Sequence, residues 1–299
     1  MSSKTQLQTH RTGIITGASS GIGRALAIKL AERFQSKLVL NARNVELLKE
    51  AENLVRAAGG EAVAIPGDIS EKKIAHKLTD TCLSRFGSID LIVNNAGLVR
   101  PGAVPRITPD DWHKVFGVNF FGPLYLIYAA LPYLLEHRAG KIVNVASVAG
   151  KVPLPGTVCY AASKFAMVGM SEGMAAEFTN QGIDVVTVCP GFVRTEFYEN
   201  NQVPPDGNLT FLASKRDFTG WLVKYGLSIS AEQTADDIIK ACQKGGPQEI
   251  ILTGPGIVVD RLKRFLPSLM FEISKHIGGR IISILETGWH EKDPETLIL

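Results

Sequence analysis

Thr16-Gly17-Ala18-Ser19-Ser20-Gly21-Ile22-Gly23 closes one apolar run, residues 12–16, and opens an amphipathic one over 22–34. The order is strand, glycine turn, helix. Glycines at these positions keep side chains out of a tight turn and let an anion reach backbone N–H groups. The helix start adds further donors and a partial positive charge. The run therefore predicts a pyrophosphate site made by Thr16, Gly17, Ser19, Ser20, Gly21, Ile22 and Gly23.

Outward from this turn, short apolar runs alternate with longer amphipathic ones. Strands are expected at 37–40, 61–65, 89–93, 141–145, 183–188 and 249–253, and helices at 45–58, 74–86, 115–135, 160–180 and 231–243. Strands this apolar on both faces suit a buried parallel sheet. Strict β/α alternation predicts a doubly wound α/β sheet of the Rossmann type in one catalytic domain, residues 1–255. Residues 197–230 break the pattern. They hold Pro204, Pro205, Gly207 and Gly220 among Phe197, Tyr198, Phe211, Phe218, Trp221 and Tyr225, which reads as a lid.

The spacing Gly-x3-Gly-x-Gly resembles that of the short-chain dehydrogenase/reductase family. The resemblance implies an NAD(P)-dependent oxidoreductase and can be followed along the chain. No carboxylate stands at the end of the second strand, where NAD users hold the ribose 2′-hydroxyl; the residues there are Leu40-Asn41-Ala42-Arg43. Arg43 suits a 2′-phosphate through a charge-assisted fork, so NADP is the expected cofactor and NAD the less expected one. Asp68, beside Ile69, matches the family position that contacts the adenine amine; the other reading is a helix N-cap, with Ser70 as rival cap. Asn94-Asn95-Ala96-Gly97 matches the family's strand-stabilising motif, with Asn95, Ala96 and Gly97 passing close to the cofactor. Pro190-Gly191 with Val193 and Thr195 matches the turn beside the nicotinamide, Thr195 being placed for the carboxamide.

Tyr160 and Lys164 lie four apart on an expected helix and so share a face. The pair alone is weak, but its helix follows the strand whose end carries Ser147, and ligands bind at strand C-termini in such sheets. A phenol near pKa 10 is a poor acid or base at neutral pH, and a neighbouring ammonium favours its phenolate. Tyr160 can then exchange a proton with a carbonyl or alcohol oxygen, and Ser147 can donate to the same oxygen. The resemblance assigns these roles to Ser147, Tyr160 and Lys164. It adds Asn119 as a fourth catalytic position that perturbs its helix and orders water in a proton relay; the plainer reading of Asn119 is a polar kink in an apolar helix.

Composition bounds the rest. A formal net charge of +3 over 299 residues is too small to make nucleic acid the main partner. Cys82, Cys159, Cys189 and Cys242 fit neither a zinc site nor a disulfide framework, so no metal and a reducing, cytoplasmic setting are expected. The uncharged stretch 115–135 approaches membrane-spanning length, but Asn119, Gly122, Pro123 and Pro132 favour a helix buried in the fold or in a subunit interface. The family resemblance implies a homo-oligomer, with 115–135 and 160–180 as interface helices.

Beyond residue 255 an extension begins, 256–299. Val258, Leu262, Phe265, Leu269, Ile273, Ile277 and Ile281 step by three or four, Arg261, Lys263, Arg264, Lys275 and Arg280 supply charge, and Pro267, Gly278 and Gly279 interrupt. A basic amphipathic segment can lie on an anionic membrane, giving peripheral contact through 256–285; packing on its own domain or a second subunit is the preferred reading. The apolar residues before Tyr160 (Val152, Pro153, Leu154, Pro155, Val158, Cys159) suggest a greasy pocket for a small-molecule carbonyl or alcohol that is lipid-, steroid- or acyl-like. Two other readings remain: a non-catalytic NAD(P)-sensing binding protein, and an NAD-dependent epimerase.

Overall fold

Strand β1 (Thr12–Thr16) is buried along its whole length. Ile14 and Ile15 point to opposite faces and neither has solvent exposure, so both faces of the strand are covered, as in parallel sheets. The computed structural model describes residues 12–195, 197 and 228–287. In it β1 pairs in parallel with β2 (Lys37–Ala42) on one side and β4 (Leu91–Asn94) on the other. β3 (Glu61–Pro66) lies outside β2. β5 (Gly140–Val145), β6 (Ile183–Pro190) and β9 (Gln248–Leu252) follow β4, giving the order β3-β2-β1-β4-β5-β6-β9. All six pairings are parallel. A short second pair joins β7 (Val193–Arg194) to β8 (Ile229–Ser230), the latter at the end of the stretch expected to be irregular.

Helices cover both faces. Leu26, Leu30 and Ala31 of α1 (Gly21–Phe34), Leu48 and Val55 of α2 (Val45–Ala57), and Ile238 and Ile239 of α7 (Ala231–Lys244) pack with Ile15, Leu38 and Leu40. Leu78 and Cys82 of α3 (Lys72–Phe86), and Leu126, Ile127 and Leu134 of α5 (Gly122–His137), pack with Ile14, Val39 and Ile92. Phe178 of α6 (Val158–Phe178) joins this second cluster. Local chemistry fixes several starts. Asn44 accepts from Leu47 N at the head of α2, and Thr108 and Asp111 form a capping box on α4 (Pro109–Phe116). Ser230 and Gln233 do the same for α7.

The helix that holds the uncharged stretch is longer and less regular than expected. α4 runs into a π-helical turn, Gly117–Phe121, with Asn119 inside it, and then into α5. Such turns insert one residue into the ladder and recur at functional sites. The whole helix, Pro109–His137, is long and apolar enough to cross a bilayer. Here it buries one face against α3 and the sheet and exposes Tyr128 and Leu135 on the other.

The extension forms two helices, α8 (Gly254–Phe265) and α9 (Pro267–Thr287). Pro267 separates them, as its residue type dictates. Gly278 and Gly279, expected to interrupt, are absorbed into α9, where Gly278 packs close to Pro155. α8 is docked on its own domain. Arg264 pairs with Asp260 and Glu249, and Lys263 Nζ donates to the main chain of Lys151. Two of its basic residues, Lys263 and Arg264, are thus engaged within the chain. The side chains of Ile277, Arg280 and Ile281, and Tyr198, Phe211, Phe218, Trp221 and Tyr225 of the expected lid, lie outside what is described. The four cysteines are free and buried, and no group of three or more metal-ligating side chains occurs among the described residues.

Candidate active site

The chain order reverses between β1 and β4, and a cavity of about 620 Å³ opens beyond the carboxyl ends of these strands. This is where open α/β sheets bind ligands. Gly17 and Gly21 line it with φ of +65° and +53°, a region that disfavours side chains. A Cβ on Gly17 would stand 2.8 Å from the Ala96 backbone, and one on Gly23 would run into the Gly17 carbonyl. The turn is tied to β4 from the other side. Thr16 Oγ1 accepts from the N–H groups of Asn95 and Ala96, while Asn95 Nδ2 donates to the carbonyls of Thr16 and Gly17. Ser20, at the N-cap of α1, makes no capping bond, and the first turn has no acidic residue. The N–H groups at this helix start are left for an anion.

At the far end of the cavity stand Arg43 and Asp68. Arg43 is exposed and makes no ion pair among the described residues. Asp68 Oδ1 accepts from both the N–H and the hydroxyl of Ser70. Neither caps α3; Glu71 is its N-cap, so the capping reading of Asp68 and Ser70 is corrected. The short polar loop closes on itself and the helix begins one residue later. Asn44 and Leu47 also line this end, and sequence reasoning missed both.

The catalytic candidates meet at the opposite end, where Ser147, Tyr160 and Lys164 line the same cavity. Ser147 follows β5 and starts a 3-10 turn, Val148–Gly150; its Oγ accepts from Ala149 N at 3.0 Å. That leaves the hydroxyl proton free to be donated elsewhere. Tyr160 and Lys164 sit one turn apart on α6, with Lys164 Nζ 5.8 Å from the Tyr160 ring centroid. Lys164 is 2% exposed and donates to Val145 O at 2.9 Å, which anchors α6 to the end of β5. Burial pulls its pKa down to about 8. The group is still a cation at neutral pH, while its proton is held less tightly than in free lysine.

Asn119 stands behind this group and is fully buried. Its Oδ1 accepts from Leu98 N at 2.7 Å, and its Nδ2 donates to Leu98 O and to Ser163 Oγ. Ser163 in turn donates to Tyr160 O. The Asn119 side chain thus links the π turn to the loop that follows β4, just past Gly97, and to α6, and both its N–H bonds are used. A second buried chain runs from Asn94 Nδ2 to Asn144 Oδ1 and from Asn144 Nδ2 to Ser171 Oγ, bracing β4, β5 and α6.

Pro190, Gly191, Val193 and Thr195 line the cavity's near wall. A side chain on Gly191 would collide with Thr253, and one on Gly21 would meet Thr195 at 3.1 Å, so this wall closes tightly on the phosphate turn. Phe197, the one described aromatic of the expected lid, lines the cavity with its ring centroid 6.3 Å from that of Tyr160. Of the candidate cofactor and catalytic residues, Thr16, Gly23 and Asn119 are outside the lining and the others line it; Val152, Pro153, Leu154, Pro155, Val158 and Cys159, expected to make a greasy pocket, do not line this cavity. Val118 and Ala146 line it unforeseen. Val118 adjoins Asn119, and Ala146 adjoins Ser147, so proximity to a candidate was the available signal.

Comparison with known proteins agrees with this geometry. The sequence model described as short chain dehydrogenase matches residues 11–204. A 3-oxoacyl-[acyl-carrier-protein] reductase of Synechocystis sp. is 33% identical over 197 residues, covering 66% of this chain and 80% of that one. An uncharacterized oxidoreductase of Listeria monocytogenes is 33% identical over 217 residues, covering 72% and 84%. Among solved structures, a short chain dehydrogenase/reductase from Burkholderia phymatum in complex with NAD superposes with a TM-score of 0.77 at 30% identity, covering 88% of this chain and 96% of that one. An alcohol dehydrogenase from the archaeon Thermococcus sibiricus, complexed with 5-hydroxy-NADP, shares the fold with a TM-score of 0.67 at 23% identity, covering 82% and 96%.

Proposed function

The chain belongs to the short-chain dehydrogenase family of oxidoreductases, and from that premise we propose that it is an NADP-preferring enzyme moving a hydride between the nicotinamide and a carbonyl or alcohol carbon. The observation that carries this reading is convergence: Ser147, Tyr160 and Lys164 line the same cavity as the glycine turn.

The residues fit a dinucleotide. Glycines at positive φ and an uncapped helix start suit the pyrophosphate, Asp68 has a second carboxylate oxygen for the adenine amine, and Arg43 lies free for a 2′-phosphate. Ile69, Ala96 and Gly97 flank the nucleotide, and Pro190, Gly191, Val193 and Thr195 hold its nicotinamide end. When bound, the nicotinamide supplies or accepts the hydride.

The chain's own groups manage the proton. In reduction the Tyr160 hydroxyl gives its proton to the substrate oxygen; in oxidation the phenolate takes it back. The Lys164 ammonium favours that phenolate. Ser147, whose oxygen already accepts from Ala149, donates its proton to the same substrate oxygen as charge develops. Asn119 contributes by fixing the π turn against Leu98 and α6.

The substrate in this reading is apolar and lipid-, steroid- or acyl-like. Phe197 beside Tyr160 supports it, as do relatives named for reducing 3-oxoacyl groups. Exposed Phe121, Tyr128 and Leu135, with Phe165 on α6, support a homo-oligomer. The exposed corner of Phe265, Leu266, Leu269 and Phe271 supports peripheral membrane contact through 256–285, and the free buried thiols fit the cytoplasm. The test is NADPH oxidation by the purified protein across 3-oxoacyl thioesters, steroid ketones, retinals and simple ketones. Turnover with an apolar carbonyl and preference for NADPH over NADH are expected; no turnover with any of them, or turnover faster with NADH, would overturn the reading.

A further inference from the structure

We propose that Lys263, on α8, is a positioning residue for hydride transfer: it staples the turn that carries Ser147 to the helix that carries Tyr160 and Lys164. The proposal rests on the roles given to those three residues above. Lys263 Nζ donates to the main-chain oxygen of Lys151 at 2.6 Å and lies 4.2 Å from the centroid of the Phe165 ring. Lys151 closes the 3-10 turn that Ser147 opens, and Phe165 follows Lys164 in α6. One ammonium thus touches the two segments that carry the catalytic group, at Lys151 and Phe165, from outside the cavity, and it comes from the extension.

The rest of the turn is held in ways that make this contact decisive. The Lys151 ammonium is engaged by Glu249 at 2.7 Å and Glu172 at 3.5 Å, so its backbone is fixed between β9, α6 and α8. A Cβ on Gly150 would stand 2.6 Å from Lys164 O, and one on Gly256 of α8 would stand 2.8 Å from Val148. The turn therefore lies sandwiched between α6 and α8, with Lys263 as its polar link to α8. An ammonium bonded to a carbonyl is a charge-assisted contact, and a half-buried cation over an aromatic face adds to it. None of these contacts reaches the phosphate turn, Arg43 or Asp68. Loss of Lys263 should shift Ser147 against Tyr160 and leave the nucleotide end untouched.

The test is steady-state kinetics on the full chain with Lys263→Met, Lys263→Arg, Phe165→Leu and Lys275→Met, alongside thermal unfolding. Lys263→Met is expected to lower kcat roughly tenfold at unchanged KM for NADPH, since misplacement of about 1 Å can cost on the order of a hundredfold. Lys263→Arg keeps a donor and a cation that stacks on the ring, and should recover most of the loss. Phe165→Leu removes only the ring contact and should give the same split in smaller measure, which keeps the idea testable if Lys263→Met folds poorly. Unchanged kcat in Lys263→Met would overturn the proposal. So would parallel loss of kcat and NADPH affinity with a lowered Tm, failure of Lys263→Arg to recover, or an equal loss in Lys275→Met, whose ion pair stays within α9. Retained turnover in Tyr160→Phe would instead bring down the catalytic reading itself, so the two failures are distinguishable.

Discussion

Lys164→Met isolates the energetic consequence of burying a cation beside Tyr160. Burial lowers the folded-state pKa of Lys164 from its ordinary 10.5 to about 8. Between those values the unfolded chain holds a proton that the folded chain has released. Where the unfolded state binds more protons, stability rises with pH. Below pH 8 both states are protonated and the full burial penalty is present; it is relieved as pH climbs from about 8 towards 10.5. At ~1.4 kcal/mol per pKa unit the relief amounts to about 3 kcal/mol. Methionine has similar length and no proton, so the variant lacks this term. It also loses the bond to Val145 O, which costs about 1–3 kcal/mol, the same at every pH where that bond exists. The difference in unfolding free energy, wild type minus variant, should therefore rise by about 3 kcal/mol between pH 7 and pH 10.5. Urea unfolding followed by circular dichroism at several pH values reads this directly, and other titrating groups cancel in the difference. A difference that stays flat within about 1 kcal/mol would refute the reasoning, and a fall with pH would reverse its sign.

Arg43→Ala should raise KM for NADPH roughly tenfold, the loss of one charge-assisted contact at an exposed site, and leave KM for NADH unchanged; equal effects on both would remove the 2′-phosphate role. Phe265 and Phe271 are 79% and 63% exposed. A Phe265→Ser, Phe271→Ser double variant should lose at least roughly tenfold in co-sedimentation with phosphatidylserine vesicles, whereas equal, negligible sedimentation of wild type and variant would end the membrane reading.

The sheet was legible because buried parallel strands write themselves as apolar runs, and the helices between them as amphipathic ones. Thr12–Thr16 and the start of α2 at Val45 come out to the residue. Local chemistry also placed the glycine turn, since positive φ at Gly17 and Gly21 restricts residue type. Contacts between distant segments were not legible. A break in the helix at Asn119 was expected, but nothing in the sequence near it announces that its amide pairs with Leu98. Lys263 reads as one of several basic residues on an amphipathic face; its bond to Lys151, 112 positions earlier, exists only because α8 folds back across the sheet edge. The start of α3, with Glu71 at its N-cap position and no side-chain capping bond, was missed because Asp68 and Ser70, both good caps by type, bind each other instead.

The central claim is that the Tyr160 hydroxyl exchanges the proton while the cavity holds the dinucleotide. Single-turnover hydride transfer by NADPH-saturated Tyr160→Phe, with NADPH affinity measured on the same sample, addresses it most directly. The account predicts unchanged affinity and a rate lower by roughly 10²–10⁴, the usual worth of a general acid. A rate close to wild type in a folded, NADPH-binding variant would contradict it.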